Sequence, residues 1–180
     1  MSDISPLPAG SPAPPFALPD ALTAQIVSTD ELRGQIMVLN FWSVDCPWSR
    51  KYDDYFAQRA AEWSSQGIAL LFIASNANEE AYEVQDLAEG LGIAHPILLD
   101  RGNAVADAYG ALTTPHVFVI DPAGRIAYQG AVDDQSFRQP QPTINYLDAA
   151  VAALKAGRMP DPADTPAYGC TIVRDFGDGP

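Results

Sequence analysis

Apolar and polar positions along this chain follow two periods. Ile36-Met37-Val38-Leu39-Asn40-Phe41-Trp42 and Ile68-Ala69-Leu70-Leu71-Phe72-Ile73-Ala74 are nearly continuous apolar runs of strand length, the pattern of central strands buried on both faces. Between them Tyr52, Tyr55, Phe56, Ala60 and Trp63 recur at three- and four-residue spacings up to Gly67. That spacing predicts one amphipathic helix of about four to five turns starting at Pro47. Strand, helix, strand in this order is most economically a parallel βαβ unit.

The same reading gives a short strand at 25–28, then a helical turn at 29–32 capped by Thr29 or Asp30 and stopped at Gly34. It continues with a helix at 79–91 closed by Gly92, a strand at 96–100 and a short helix at 103–109 ending at Gly110. Strands at 116–121 and 125–129 flank Pro122-Ala123-Gly124 as a hairpin. A last helix at 144–156 places Ile144, Leu147, Ala150, Val151 and Leu154 on one face before Gly157. The expected fold class is α/β, a central mixed β-sheet flanked by helices. No repeat is visible, and the Pro-rich patches at 6–19, 138–142 and 160–166 are too short for linkers. One domain over 1–180 is expected, with 1–12 an extended lead-in and 158–180 a C-terminal tail.

Composition narrows the function. A chain of 180 residues that is 47% hydrophobic is long enough for one substantial core. Lys plus Arg number 10 against 23 Asp plus Glu, and the net charge of -13 repels phosphate backbones and anionic lipid. Nucleic acid and membrane are therefore excluded as expected partners. The N-terminus carries no basic residue and no apolar run of signal-peptide length, so a cytoplasmic protein is expected. Two distant cysteines make no secreted-type disulfide framework, and no His/Cys cluster has zinc spacing. No metal or cofactor is implied.

Two cysteines leave either a redox pair or two unrelated thiols. Cys46 falls where a strand gives way to a helix, among unpaired amides at the positive end of the helix dipole, which favours the thiolate. Arg50 and Lys51 add favourable charge, and Asp45 opposes it. The plainer alternative is a cysteine that fills a strand-end cavity. Ser49 stands three residues on, where a C-x-x-C pair has its second thiol. A hydroxyl forms no disulfide, so a complete cycle needs Cys170, a small thiol or a partner protein. Thr113-Thr114-Pro115-His116 precedes the hairpin; an ordinary trans turn with a structural His116 is the plain reading. Cys170, in Tyr168-Gly169-Cys170-Thr171-Ile172, is either a mobile resolving thiol or a bystander pinned by Ile172 and Val173.

Taken together these residues resemble the thioredoxin superfamily, and more narrowly the AhpC/TSA and TlpA-like redoxins. The resemblance is carried in order by Ala13-Pro14-Pro15-Phe16-Ala17-Leu18-Pro19, Asn40-Phe41-Trp42, Cys46-Pro47, Thr114-Pro115 and Asp121-Pro122-Ala123-Gly124-Arg125. Tyr109-Gly110, Gly130-Ala131-Val132-Asp133-Asp134 and the tail pattern T-P-x-x-G-C-x-I at 165–172 are similar to a set of small bacterial thioredoxin-family redoxins. The likeness spans 13–173. Pro115 follows Cys46 by 69 positions, which leaves room for the extra strand and helix of the redoxin branch at 76–100.

The resemblance implies a thioredoxin-like fold with an N-terminal extension and that insertion. It also implies a cis Pro115 close to Cys46, a Thr114 offering backbone groups to an extended substrate, and a His116 near the thiol. Ser43 and Ser49 stand where cysteine partners usually lie, Asp45 replaces an aromatic residue, and Asn40 replaces thioredoxin's buried acid. The peroxiredoxin pattern P-x-x-x-T-x-x-C keeps only the hydroxyl of Ser43, because Leu39 holds the Pro position; Arg125 or Arg138 would have to supply the remote arginine. The expected function is a thiol-dependent oxidoreductase in which Cys46 attacks a protein or small-molecule disulfide, or a peroxide. Cys170 or an external thiol then resolves the intermediate, and an external thiol is the reductant. The competing reading is a redox-inactive module that holds a peptide on a Trp42, Trp48 and Pro115 surface. A copper site from Cys46, His116 and Cys170 is a third, which neither spacing nor count requires.

Overall fold

A computed structural model describes residues 4–175; the first three residues of the expected lead-in and residues 176–180 of the expected tail lie outside it. In chain order the elements are β1 (Ala17–Pro19), β2 (Ile26–Ser28), a 3-10 turn (Thr29–Leu32) and β3 (Met37–Trp42). Next come α1 (Pro47–Arg50), α2 (Asp53–Ser65), β4 (Ala69–Ala74), α3 (Ala81–Leu91), β5 (Ile97–Leu99) and α4 (Ala104–Tyr109). The chain continues through β6 (Thr113–Thr114), β7 (His116–Ile120), β8 (Ile126–Gly130), α5 (Tyr146–Lys155) and β9 (Cys170–Thr171).

The central sheet has the order β5-β4-β3-β7-β8. β3 and β4 run parallel in the register Met37↔Ala69 to Trp42↔Ala74, β5 adds parallel to β4, and β7 and β8 complete the sheet antiparallel. All six residues of β3 are buried, as a continuous apolar run requires. Val38 and Trp42 face a core shared with Phe56 and Trp63 of α2, Val84 of α3 and Leu147 of α5. Met37, Leu39 and Phe41 face the opposite core, closed by Val105 and Tyr109 of α4 and by Phe16 and Leu18 of the N-terminal segment. The architecture is thioredoxin-like. No helix among the described residues is long and apolar enough to cross a membrane.

Several expectations are corrected. The single helix expected from Pro47 is two: Tyr52 N–H donates to Ser49 O, three residues back, and Phe56 N–H to Tyr52 O, so the chain tightens at 51–52 and restarts as α2. The 3-10 turn is capped by Ser28, whose hydroxyl accepts from Asp30 N, and not by Thr29 or Asp30. The last helix starts later because Asn145 caps it, accepting from Asp148 N at 2.8 Å; Ile144 therefore lies outside and is 50% exposed. The Pro-rich N-terminal segment is tied down by Leu7 N–H to Tyr109 O, Gly10 N–H to Ile126 O and Ala13 N–H to Gly124 O. β6 and β9 had no sequence signal of their own, and they shape the site.

Candidate active site

β3 ends at Trp42 and delivers Cys46 to the N-cap of α1, where its sulfur lies 3.4 Å from Ser49 N. From the other side β6 leads into the cis Thr114-Pro115 peptide, and the Thr114 carbonyl oxygen stands 3.0 Å from Cys46 Sγ. β9 pairs antiparallel with β6 in the register Thr114↔Cys170. This register brings the two cysteines together, and Cys46 and Cys170 form a disulfide with a Cα–Cα distance of 6.0 Å across 124 residues of sequence. A disulfide sulfur carries no proton, so the contact to Thr114 O becomes a hydrogen bond only when Cys46 is reduced.

The tail bearing Cys170 is anchored on both sides. Ile172 is buried and its N–H donates to Leu112 O. Val173 N–H donates to Asn76 Oδ1, and Val173 O accepts from Ala77 N. Arg174 pairs with Asp107 at 2.8 Å and donates to Ala111 O. Before the cysteine, Tyr168 stacks edge-on against Trp48, with ring centroids 4.8 Å apart, and Phe137 meets both rings. The tail is thus pinned through Ile172 and Val173, and Cys170 is not a freely swinging thiol but is paired with Cys46.

Behind the disulfide is a polar network. Ser43 Oγ accepts from Asp45 N and Cys46 N, each at 3.2 Å, and donates its proton to Glu79 Oε1. Glu79 is 1% exposed; the same oxygen accepts from Asn76 Nδ2, while its Oε2 has no partner among the described residues. Ser49 Oγ accepts from Ser43 N. Both serines that stand in cysteine positions therefore brace the β3–α1 turn. Glu79 and Asn76 were missed by sequence reasoning; the only cue was a carboxylate just ahead of the α3 capping box made by Glu80 and Glu83.

Other candidates are placed differently from expectation. Trp42 is fully buried and its Nε1 donates to Asp53 Oδ1, so it belongs to the core and to no exposed surface. Pro115 is also buried, beneath the tail. Arg50 pairs with Asp53 and donates to Val44 O. Lys51 donates to Gln135 and lies 4.8 Å over the Trp48 and Tyr52 rings. Asp45 and Pro47 are exposed.

His116 shares the neighbourhood through its position beside Pro115, but its ring is committed elsewhere. Nδ1 accepts from Leu112 N at 3.1 Å, so Nε2 holds the proton and donates to Gln129 Oε1 at 2.9 Å. Burial pushes its pKa down to about 4, with the Gln129 hydrogen bond acting in the opposite direction. A ring with both nitrogens engaged has no free lone pair for a metal or a proton transfer at sulfur. The copper set is accordingly occupied by other bonds, and no group of three or more His, Cys, Asp or Glu among the described residues is placed to hold a metal ion.

Known proteins share this fold. The AhpC/TSA family model matches residues 9–129. The thiol-disulfide oxidoreductase ResA of Bacillus subtilis is 33% identical over 117 residues, 65% of this chain and 64% of that protein's length. ResA of Halalkalibacterium halodurans is 33% identical over 129 residues, 71% of this chain and 72% of its own. Among solved structures, a hypothetical protein from Sinorhizobium meliloti superposes with a TM-score of 0.87 at 29% identity, covering 96% of this chain and 98% of that one. An uncharacterized conserved protein from Geobacillus kaustophilus gives 0.88 at 27%, covering 95% and 94%. The family match stops before Cys170, whereas these two structures extend over nearly the whole chain.

Proposed function

This chain belongs to the AhpC/TSA family, and from that premise we propose that it is a thiol–disulfide oxidoreductase whose redox couple is Cys46 and Cys170. The observation that carries the reading is the disulfide between them, which supplies the second thiol that Ser49 lacks. In one turn of the cycle the disulfide takes two electrons from two partner thiols. The protein becomes a dithiol, the partner a disulfide, and the two protons of the partner thiols end on Cys46 and Cys170.

Exchange is favoured over peroxide reduction by the polar groups around Cys46. A peroxide site needs a hydroxyl and a guanidinium turned to the sulfur. The Ser43 hydroxyl gives its proton to Glu79 and accepts two amides. Arg50 is held by Asp53 and Val44 O, and Arg125 donates to Gly10 O. The binding-module alternative keeps only half-buried Trp48 of its three surface residues, because Trp42 is in the core and the chain's own tail covers Pro115.

The test is turnover of insulin disulfides with a thiol reductant by the wild type, Cys46→Ser and Cys170→Ser. Turnover in the wild type and its loss in both variants is expected. Full turnover in Cys170→Ser would show that the couple is wrong.

A further inference from the structure

The two cysteines of the disulfide are not equally exposed, and we infer that Cys170, not Cys46, is the one that meets the partner. The inference rests on the redox couple proposed above and assigns the order of its steps. It reverses the roles expected from the sequence, where Cys46 attacks and Cys170 resolves.

Access is the first reason. Cys46 is 3% exposed and is enclosed by Ser43 and Ser49, each 1% exposed, and by the fully buried Thr114. Cys170 is half-buried, lies between half-buried Gly169 and exposed Thr171, and sits on a strand that, among the described residues, pairs with β6 alone. A thiolate attacks a disulfide in line with the S–S bond, from the side away from the leaving sulfur. An attacking thiolate must reach the cysteine itself, and of the two residues Cys46 is buried at 3% exposure whereas Cys170 is only half-buried.

The leaving sulfur is the second reason. Attack on Cys170 expels Cys46, whose new negative charge faces the Ser49 N–H at 3.4 Å. Attack on Cys46 would expel Cys170, on which no N–H among the described residues is placed. A charge-stabilised sulfur leaves faster. Thr114 O, 3.0 Å from Cys46, does not hold a lasting thiolate; it accepts the S–H once the released sulfur takes up a proton.

A partner thiolate forms a bond to Cys170 Sγ, the Cys46–Cys170 bond breaks, and Cys46 leaves with the electron pair. A second partner thiolate attacks the partner sulfur of this mixed disulfide, forming the partner disulfide and releasing Cys170. Both cysteines then take up the protons that the two partner thiols gave up. Run backwards, Cys170 attacks a substrate disulfide and Cys46 closes onto Cys170 to expel the substrate thiol.

Reduced glutathione is a suitable probe of the oxidised wild-type protein, with acid quenching at early times, maleimide alkylation and peptide mass mapping. The expected result is glutathione on Cys170 and maleimide on Cys46, in about tenfold excess or more over the reverse pattern. A predominance of glutathione on Cys46 would overturn the inference and leave the couple standing. A protein in which Cys46 and Cys170 are never joined, or in which the bond never opens to glutathione, would overturn both. As a second measurement, oxidised glutathione should modify Cys170 in Cys46→Ser faster than it modifies Cys46 in Cys170→Ser; the opposite ranking contradicts the assignment.

Discussion

Gly169 lies against the Thr114-Pro115 peptide so closely that a β-carbon at 169 would collide with the Thr114 carbonyl carbon and oxygen. The absence of a side chain there lets the chain just before Cys170 settle onto the edge of β6, beside the residue that leads into the disulfide. Gly169→Ala should therefore push the tail outward, because backbone atoms give way less readily than side chains. A cost of about 1–3 kcal/mol is expected, together with faster reduction of the disulfide by dithiothreitol. Unchanged melting and unchanged reduction rate would show that the close approach is dispensable.

Opening the disulfide should lower thermal stability. The bond closes a loop across 124 residues, for which chain entropy gives about 5 kcal/mol, equivalent to about 10–20 °C in melting temperature for a chain of this size. Scanning calorimetry with and without reductant measures the shift. A reduced protein that melts at the same temperature would contradict the loop-closure account.

Acid should weaken the fold through His116. Its pKa falls from 6.5 to about 4 on folding, chiefly through burial. Between these values the unfolded chain binds a proton that the folded chain refuses. The contribution is thus fully present above pH 6.5 and lost as pH falls towards 4, by about 3 kcal/mol. Burial also lowers His95 to about 4, against the opposing charge of Asp20, and adds in the same direction. Urea unfolding at pH 7 and pH 4.5 should show the loss in the wild type and a smaller one in His116→Asn, whose amide oxygen can still accept Leu112 N. Equal losses would remove His116 from the explanation.

Glu79 should brace both halves of the site. Its Oε1 accepts from Ser43, which holds the Cys46 amide, and from Asn76, whose own oxygen holds Val173 in the tail. Glu79→Ala leaves two buried donors unmatched and should cost about 2–4 kcal/mol; Glu79→Gln keeps the acceptor and should cost less. Chemical denaturation of both variants checks the ranking, and equal stabilities would contradict it.

Much of this molecule is legible in its sequence where the signal is local. The runs at 36–42 and 68–74 read as strands because burial on both faces leaves few polar interruptions, and Cys46 stood out as the residue between a strand and Pro47. The pairing of β6 with β9 was not legible: two residues on each side carry no periodicity, and their partners lie far apart in sequence. The break at 51–52 was hidden because the apolar spacing runs on through it. Trp42 was expected on a peptide-holding surface, and the family resemblance implied a His116 near the thiol. Side-chain direction on β3 and β7 turns one into the core and commits the other to Leu112 and Gln129.

The most direct measurement of the central claim is a redox titration in glutathione buffers, with acid trapping and mass mapping of Cys46 and Cys170. A reversible two-electron transition is expected, in which the cysteines pass together from two thiols to one intramolecular disulfide, with a tenfold change in ratio per about 30 mV. Two cysteines that are glutathionylated independently, and never joined to each other at any potential, would contradict it.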